Sequence, residues 1–100
     1  MAITKSSILA VGTTTATSSS VTVDAGASVG IGLCATSGAL PDGVAADIFV
    51  VPVTGDNIPY SDNDKPVRLT RKLPYVVING PIEIVVKRPA GPSVGIFKAV

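Results

Sequence analysis

The chain has 100 residues, a net charge of +1, and 15% charged against 46% hydrophobic residues. That length fits one small domain, and that apolar content excludes an intrinsically disordered chain. The near-neutral charge gives no global sign of nucleic acid or of an anionic membrane as partner. Fifteen Val, nine Ile and nine Thr make a third of the chain β-branched, against five Leu. These side chains suit a pleated sheet, and the frequent Gly and Pro leave no room for a long helix.

Taken in chain order, residues 1–12 read as a possible N-terminal arm or first strand, with Ile3, Ile8 and Leu9 as its apolar anchors. Thr13 to Ser20 is a Ser/Thr tract expected to be a solvated connector or edge strand. Val21 and Val23 flank Thr22, and Asp24-Ala25-Gly26 turns the chain. Val29, Ile31 and Leu33 then alternate with Gly30, Gly32 and Cys34, a strand with one bulky and one small face. The small face points to close approach by another sheet or another chain.

Pro41-Asp42-Gly43 marks a turn. Asp47 to Val53 carries the continuous apolar run expected of a central strand, with Phe49 inside. Thr54 to Lys65 reads as a long polar loop. Val67 to Lys72 alternates again, and Tyr75–Ile78, Asn79-Gly80 and Ile82–Val86 together read as a hairpin. Pro89-Ala90-Gly91-Pro92 turns the chain into a last strand over residues 93–100. The fold expected is therefore all-β: a small antiparallel β-sandwich or barrel of about seven to eight short strands, forming one domain over residues 13–100.

Histidine is absent and there is one cysteine, Cys34. The commonest general base is therefore missing, a Cys–His nucleophile is excluded, and no intrachain disulfide can form. Cys34 is expected to be a buried structural thiol. Gly30-Ile31-Gly32-Leu33-Cys34-Ala35 matches a relaxed dinucleotide fingerprint, but it lies inside an alternating strand where no helix follows to hold a pyrophosphate. Asp62-Asn63-Asp64, with Asp56 nearby, supplies oxygen ligands without the spacing of a calcium loop, and reads as a solvated turn in which Asp64 pairs with Lys65 or Arg68. No cofactor, metal or catalytic residue is expected, and the chain is read as no enzyme.

Lys65, Arg68, Arg71 and Lys72 form the one basic cluster. Strand periodicity would project Arg68 and Lys72 from one face, as a solvated surface or a stripe facing an acidic protein partner. Aromatic interleaving is lacking, which argues against single-stranded nucleic acid. No apolar run approaches the ~20 residues that span a membrane as a helix, and no signal-peptide core is evident.

Several segments resemble small virion structural proteins of tailed bacteriophages. They are Ser6-Ser7-Ile8-Leu9-Ala10-Val11-Gly12-Thr13, Val21-Thr22-Val23-Asp24-Ala25-Gly26-Ala27, Val29-Gly30-Ile31-Gly32-Leu33, Val67-Arg68-Leu69-Thr70, Tyr75 to Ile78 and Ser93-Val94-Gly95-Ile96-Phe97. The resemblance covers most of the chain and implies a capsid decoration or cement protein, made in the host cytoplasm and located in the virion. Its implied partners are the major capsid protein or another virion protein, together with copies of itself as a dimer or trimer, and neither nucleic acid nor membrane. A tail, fibre or neck component, or a carbohydrate-binding β-sandwich module, shares these features.

Overall fold

Alternating β-branched segments form strands here because each can turn one face to a common core, and the computed structural model pairs them into two packed antiparallel sheets. It describes residues 4–62 and 64–100. In chain order the strands are β1 (Lys5–Gly12), β2 (Ala16–Thr17), β3 (Val21–Val23), β4 (Ser28–Cys34), β5 (Ala45–Val50), β6 (Ile58–Pro59), β7 (Ser61–Asp62), β8 (Lys65–Pro66), β9 (Arg68–Thr70), β10 (Tyr75–Asn79), β11 (Ile82–Arg88) and β12 (Val94–Ala99). Sheet A has the order β1-β12-β4-β10. In sheet B, β11 and β5 lie side by side at the centre; β2 and β3 pair with β11, while β6 and β9 pair with β5. A small ribbon, β7-β8, stands apart from both sheets.

The core lies between the sheets. Val29, Ile31 and Leu33 of β4 meet Ile78 of β10 and Val94 and Ile96 of β12 on one side. Val21, Val23, Ala46, Ile48, Leu69, Ile84 and Val86 supply the other. Ile31, Ile84 and Ile96 are fully shielded from solvent. At roughly 25 cal/mol per Å² of apolar surface removed from water, these side chains dominate the favourable part of folding.

The expected hairpin is corrected. β10 pairs with β4 in sheet A, whereas β11 pairs with β3 and β5 in sheet B. Residues 79–81 therefore carry the chain from one sheet to the other. Pro81 has no N–H to give a hairpin ladder. Gly80 donates its N–H to the Ala27 carbonyl at 3.0 Å and packs so closely on the Asp24 carbonyl that no Cβ fits there. The turn is real, but it is a sandwich corner.

Two other expectations change. The segment 54–65 is not a plain loop, because Ile58–Pro59 adds to β5 and Ser61–Asp62 pairs with Lys65–Pro66. The strand expected over Val67 to Lys72 ends at Thr70, where reciprocal bonds between Thr70 and Leu73 close a turn. Of the two alternatives for the N-terminal segment, residues 5–12 take the strand, pairing with β12 at the edge of sheet A. No helix in the described residues is long and apolar enough to cross a membrane.

Candidate interaction surface

The anticipated site residues do not come together as a stripe. Ile3 lies outside the described residues. Ile8 and Leu9 are half-buried against the chain's own core and are spent on it. Lys65 is exposed on β8. Arg68 lies on β9, while Arg71 and Lys72 fall in the turn after it, so strand periodicity does not align Arg68 with Lys72. The structure does gather Arg68, Arg71 and Lys72 around an open depression of about 480 Å³ that also holds Asp42 and Thr70.

Within that depression most of the positive charge is already answered. Arg68 Nε lies 3.3 Å from an Asp47 carboxylate oxygen, its cross-strand neighbour on β5. Arg71 pairs with Asp42. Arg68 thus takes Asp47 as partner in place of the expected Asp64. Asp64 has a φ of 65° in the turn of the β7-β8 ribbon, and the neighbouring Asn63 lies outside the described residues. Among the described residues no group of three or more acidic or thiol side chains is placed to hold a metal ion.

The small face of β4 finds its occupant within the same sheet. Gly32 stands opposite Phe97 of β12 and Tyr75 of β10. A Cβ on Gly32 would lie 2.6 Å from Phe97 Cε1, and one on Gly30 would run into the Tyr75 ring and hydroxyl. The two rings stack across the glycines with centroids 6.1 Å apart and planes at 24°. Two rings of the same sheet thus lie across a glycine floor, a cross-strand arrangement that stabilises strand glycines.

The outer face of sheet A carries apolar and small residues in adjoining rows. One row across the strands reads Ser7, Phe97, Gly32, Tyr75, and the next reads Lys5, Ala99, Gly30, Val77. Val11 covers Gly95 in the same way that Tyr75 covers Gly30. Tyr75 is 43% exposed, Val77 57% and Val11 38%. Lys5, at the rim, is the one charge in these two rows. Cys34 is free and half-buried on this face, less enclosed than the sequence suggests. Phe49 is likewise half-buried, lining a depression on the outer face of sheet B with Val85 and Lys87.

Sequence reasoning missed the most unusual buried group, Arg88. β11 alternates Ile82, Ile84, Val86, Arg88 toward the interior, and Arg88 is 4% exposed at the end of that series. Its guanidinium donates to three backbone carbonyls: Thr14 at 2.9 Å, Ala10 at 2.7 Å and Val94 at 2.8 Å. Among the described residues no carboxylate pairs with it. Continuing the period-2 pattern past Val86 is the signal that finds it. Its role is to hold β1, the residues after it and β12 to the end of β11.

No family model, curated protein or solved structure matches this chain.

Proposed function

We propose that this chain is a non-catalytic structural protein of a tailed-bacteriophage virion, which decorates and reinforces the capsid through many modest protein–protein contacts. The observation that carries the reading is the outer face of sheet A. It exposes Val11, Tyr75 and Val77 around a floor of small residues, in a sandwich whose core is complete without them. A contiguous apolar patch outside a complete core marks a surface kept for a partner. A charged-residue content of 15% leaves little to keep such a face in water. Multivalency supplies the strength, because copies docked on a regular shell act together though each contact is small.

The test is sedimentation of the purified protein with phage capsids stripped of small accessory proteins. Saturable binding at a fixed ratio is expected, and a Val11→Glu variant that keeps its circular dichroism should bind at least tenfold more weakly. A folded wild-type protein that ignores the shell sinks the reading.

One observation favours a second reading, a carbohydrate-binding module. The stacked Tyr75–Phe97 pair is partly open to solvent and offers an aromatic platform of the kind that meets a sugar ring. A glycan array separates the two: binding lost in Tyr75→Ala would move the function to sugar.

A further inference from the structure

We propose that β10 is the edge through which two copies of this chain pair, strand to strand and antiparallel about a two-fold axis at Val77. This pairing does not rest on the capsid reading, since it belongs to the free protein.

The argument starts from the backbone. β10 has one strand neighbour, β4. Leu33 N–H bonds to the Pro74 carbonyl at 2.9 Å and Gly80 N–H to the Ala27 carbonyl at 3.0 Å. Antiparallel alternation between these ends places Val76 and Ile78 in the bonded pairs. The N–H and C=O groups of Tyr75, Val77 and Asn79 therefore point away from β4, and among the described residues none of them has a backbone partner. That is a regular row of free donors and acceptors at two-residue spacing, the pattern that an added strand satisfies.

The molecule's other edges are guarded. β1 carries Lys5 and two register irregularities, and its Ile8 carbonyl accepts the Ser19 N–H. On sheet B, among the described residues, β2 and β3 on one side are two and three residues long, and on the other side β6 is two residues long with Pro59 in it and β9 three residues long with Arg68 in it. Shortness, charge, proline and bulges are the devices that stop edge-to-edge association. β10 has none of them: Tyr75-Val76-Val77-Ile78-Asn79 is uncharged, proline-free and paired in unbroken register.

Several features choose a second copy as the occupant. A two-fold antiparallel pair puts Val77 opposite Val77 and Tyr75 opposite Asn79, so no charge meets its own image. Beside the edge, an open depression of about 320 Å³ lined by Tyr60, Val67, Leu73, Val76 and Val77 gives the incoming strand apolar walls. Pairing also makes the two sheets A continuous, with both Tyr75–Phe97 patches on one broad face.

The experiment uses the full chain. Analytical ultracentrifugation should show a concentration-dependent dimer, and Val77→Lys, at a position 57% exposed, should give a folded monomer. In a Cys34→Ser background, Val77→Cys should form an intermolecular disulfide under mild oxidation. A bonded antiparallel pair separates its Cα atoms by about 5.5 Å, within disulfide reach. Hydrogen exchange on the wild type should show protection of the Tyr75, Val77 and Asn79 amides that fades on dilution. A protein monomeric at every concentration overturns the proposal. So does a dimer that survives Val77→Lys, or one whose three edge amides exchange freely. Should Val77→Lys fail to fold, the crosslink and the wild-type exchange pattern still decide.

Discussion

Arg88 Nη1 stands 2.7 Å from the carbonyl of Ala10, and that contact explains an irregularity in β1. The register of β1 on β12 shifts between Leu9 and Gly12, a stretch in which the Ala10 carbonyl accepts its bond from a side chain. Gly12 keeps the strand close, since a Cβ there would come 3.1 Å from Arg88 Nη2. A buried cation held by carbonyls alone is costly to desolvate, so its worth depends on making every bond.

Arg88→Lys keeps the charge but cannot span three carbonyls, because an ammonium presents its donors from one point. Arg88→Met removes the charge and leaves the carbonyls without their donor. Each variant is expected to lose about 3 kcal/mol or more of unfolding free energy, measured by urea denaturation. A loss below about 1 kcal/mol for both would show that the clamp is dispensable.

Ser18 predicts a second cost. Its hydroxyl accepts the Val86 N–H at 2.9 Å and donates to the Ser19 carbonyl at 2.9 Å. This bridges the gap between β2 and β3 along β11, at a residue only 6% exposed. Ser18→Ala strands a backbone donor in the core and should destabilise by about 1–3 kcal/mol. Ser20→Ala, at an exposed neighbour in the same tract, should stay within about 0.5 kcal/mol. Chemical denaturation of the two variants side by side checks the contrast.

At Gly30 two effects oppose each other. Alanine relieves the entropic cost of a strand glycine, by roughly 0.5–1 kcal/mol. The added methyl must also displace the Tyr75 ring, with Cε1 2.7 Å from the new Cβ. Overpacking of this kind costs about 1–3 kcal/mol, so Gly30→Ala should be net destabilising. Combining it with Tyr75→Ala, which empties the space, should remove most of that penalty. A double-mutant cycle by thermal unfolding reads the coupling directly.

The sandwich was legible because its main strands write their burial in alternation: Val29-Ile31-Leu33 and Val21-Val23 face the core as period 2 requires. The small face of β4 was legible as a place of close approach. What covers it was not, because Tyr75 and Phe97 reach Gly30 and Gly32 only through strand pairing, which local sequence does not encode. For the same reason Asn79-Gly80 signalled a turn without saying that the two strands part into different sheets. The Ser/Thr tract hid Ser18, whose burial follows from the partner strand β11 and not from its own neighbours. The partners of Arg68 and Arg71 could not be read from the sequence, because Asp47 and Asp42 lie far away along the chain and meet them only in the fold.

Those two ion pairs lead to the last prediction. Arg68 and Asp47 have side chains 53% and 39% exposed, and the Arg71–Asp42 pair is more open still. Solvent screening limits exposed pairs to about 1 kcal/mol or less, so a double-mutant cycle on Arg68 and Asp47 should return a coupling no larger than that. Their effect on recognition is greater, because the carboxylates neutralise the charge that would otherwise steer an acidic partner to the depression. If the chain binds a capsid shell through its apolar face, as proposed, attachment should change little between low and high salt, and Lys72→Glu should leave it nearly unchanged. Sedimentation of the mixed components across a salt series measures this. A steep loss of binding with salt, reproduced by Lys72→Glu, would move the interface from the outer face of sheet A to the basic depression.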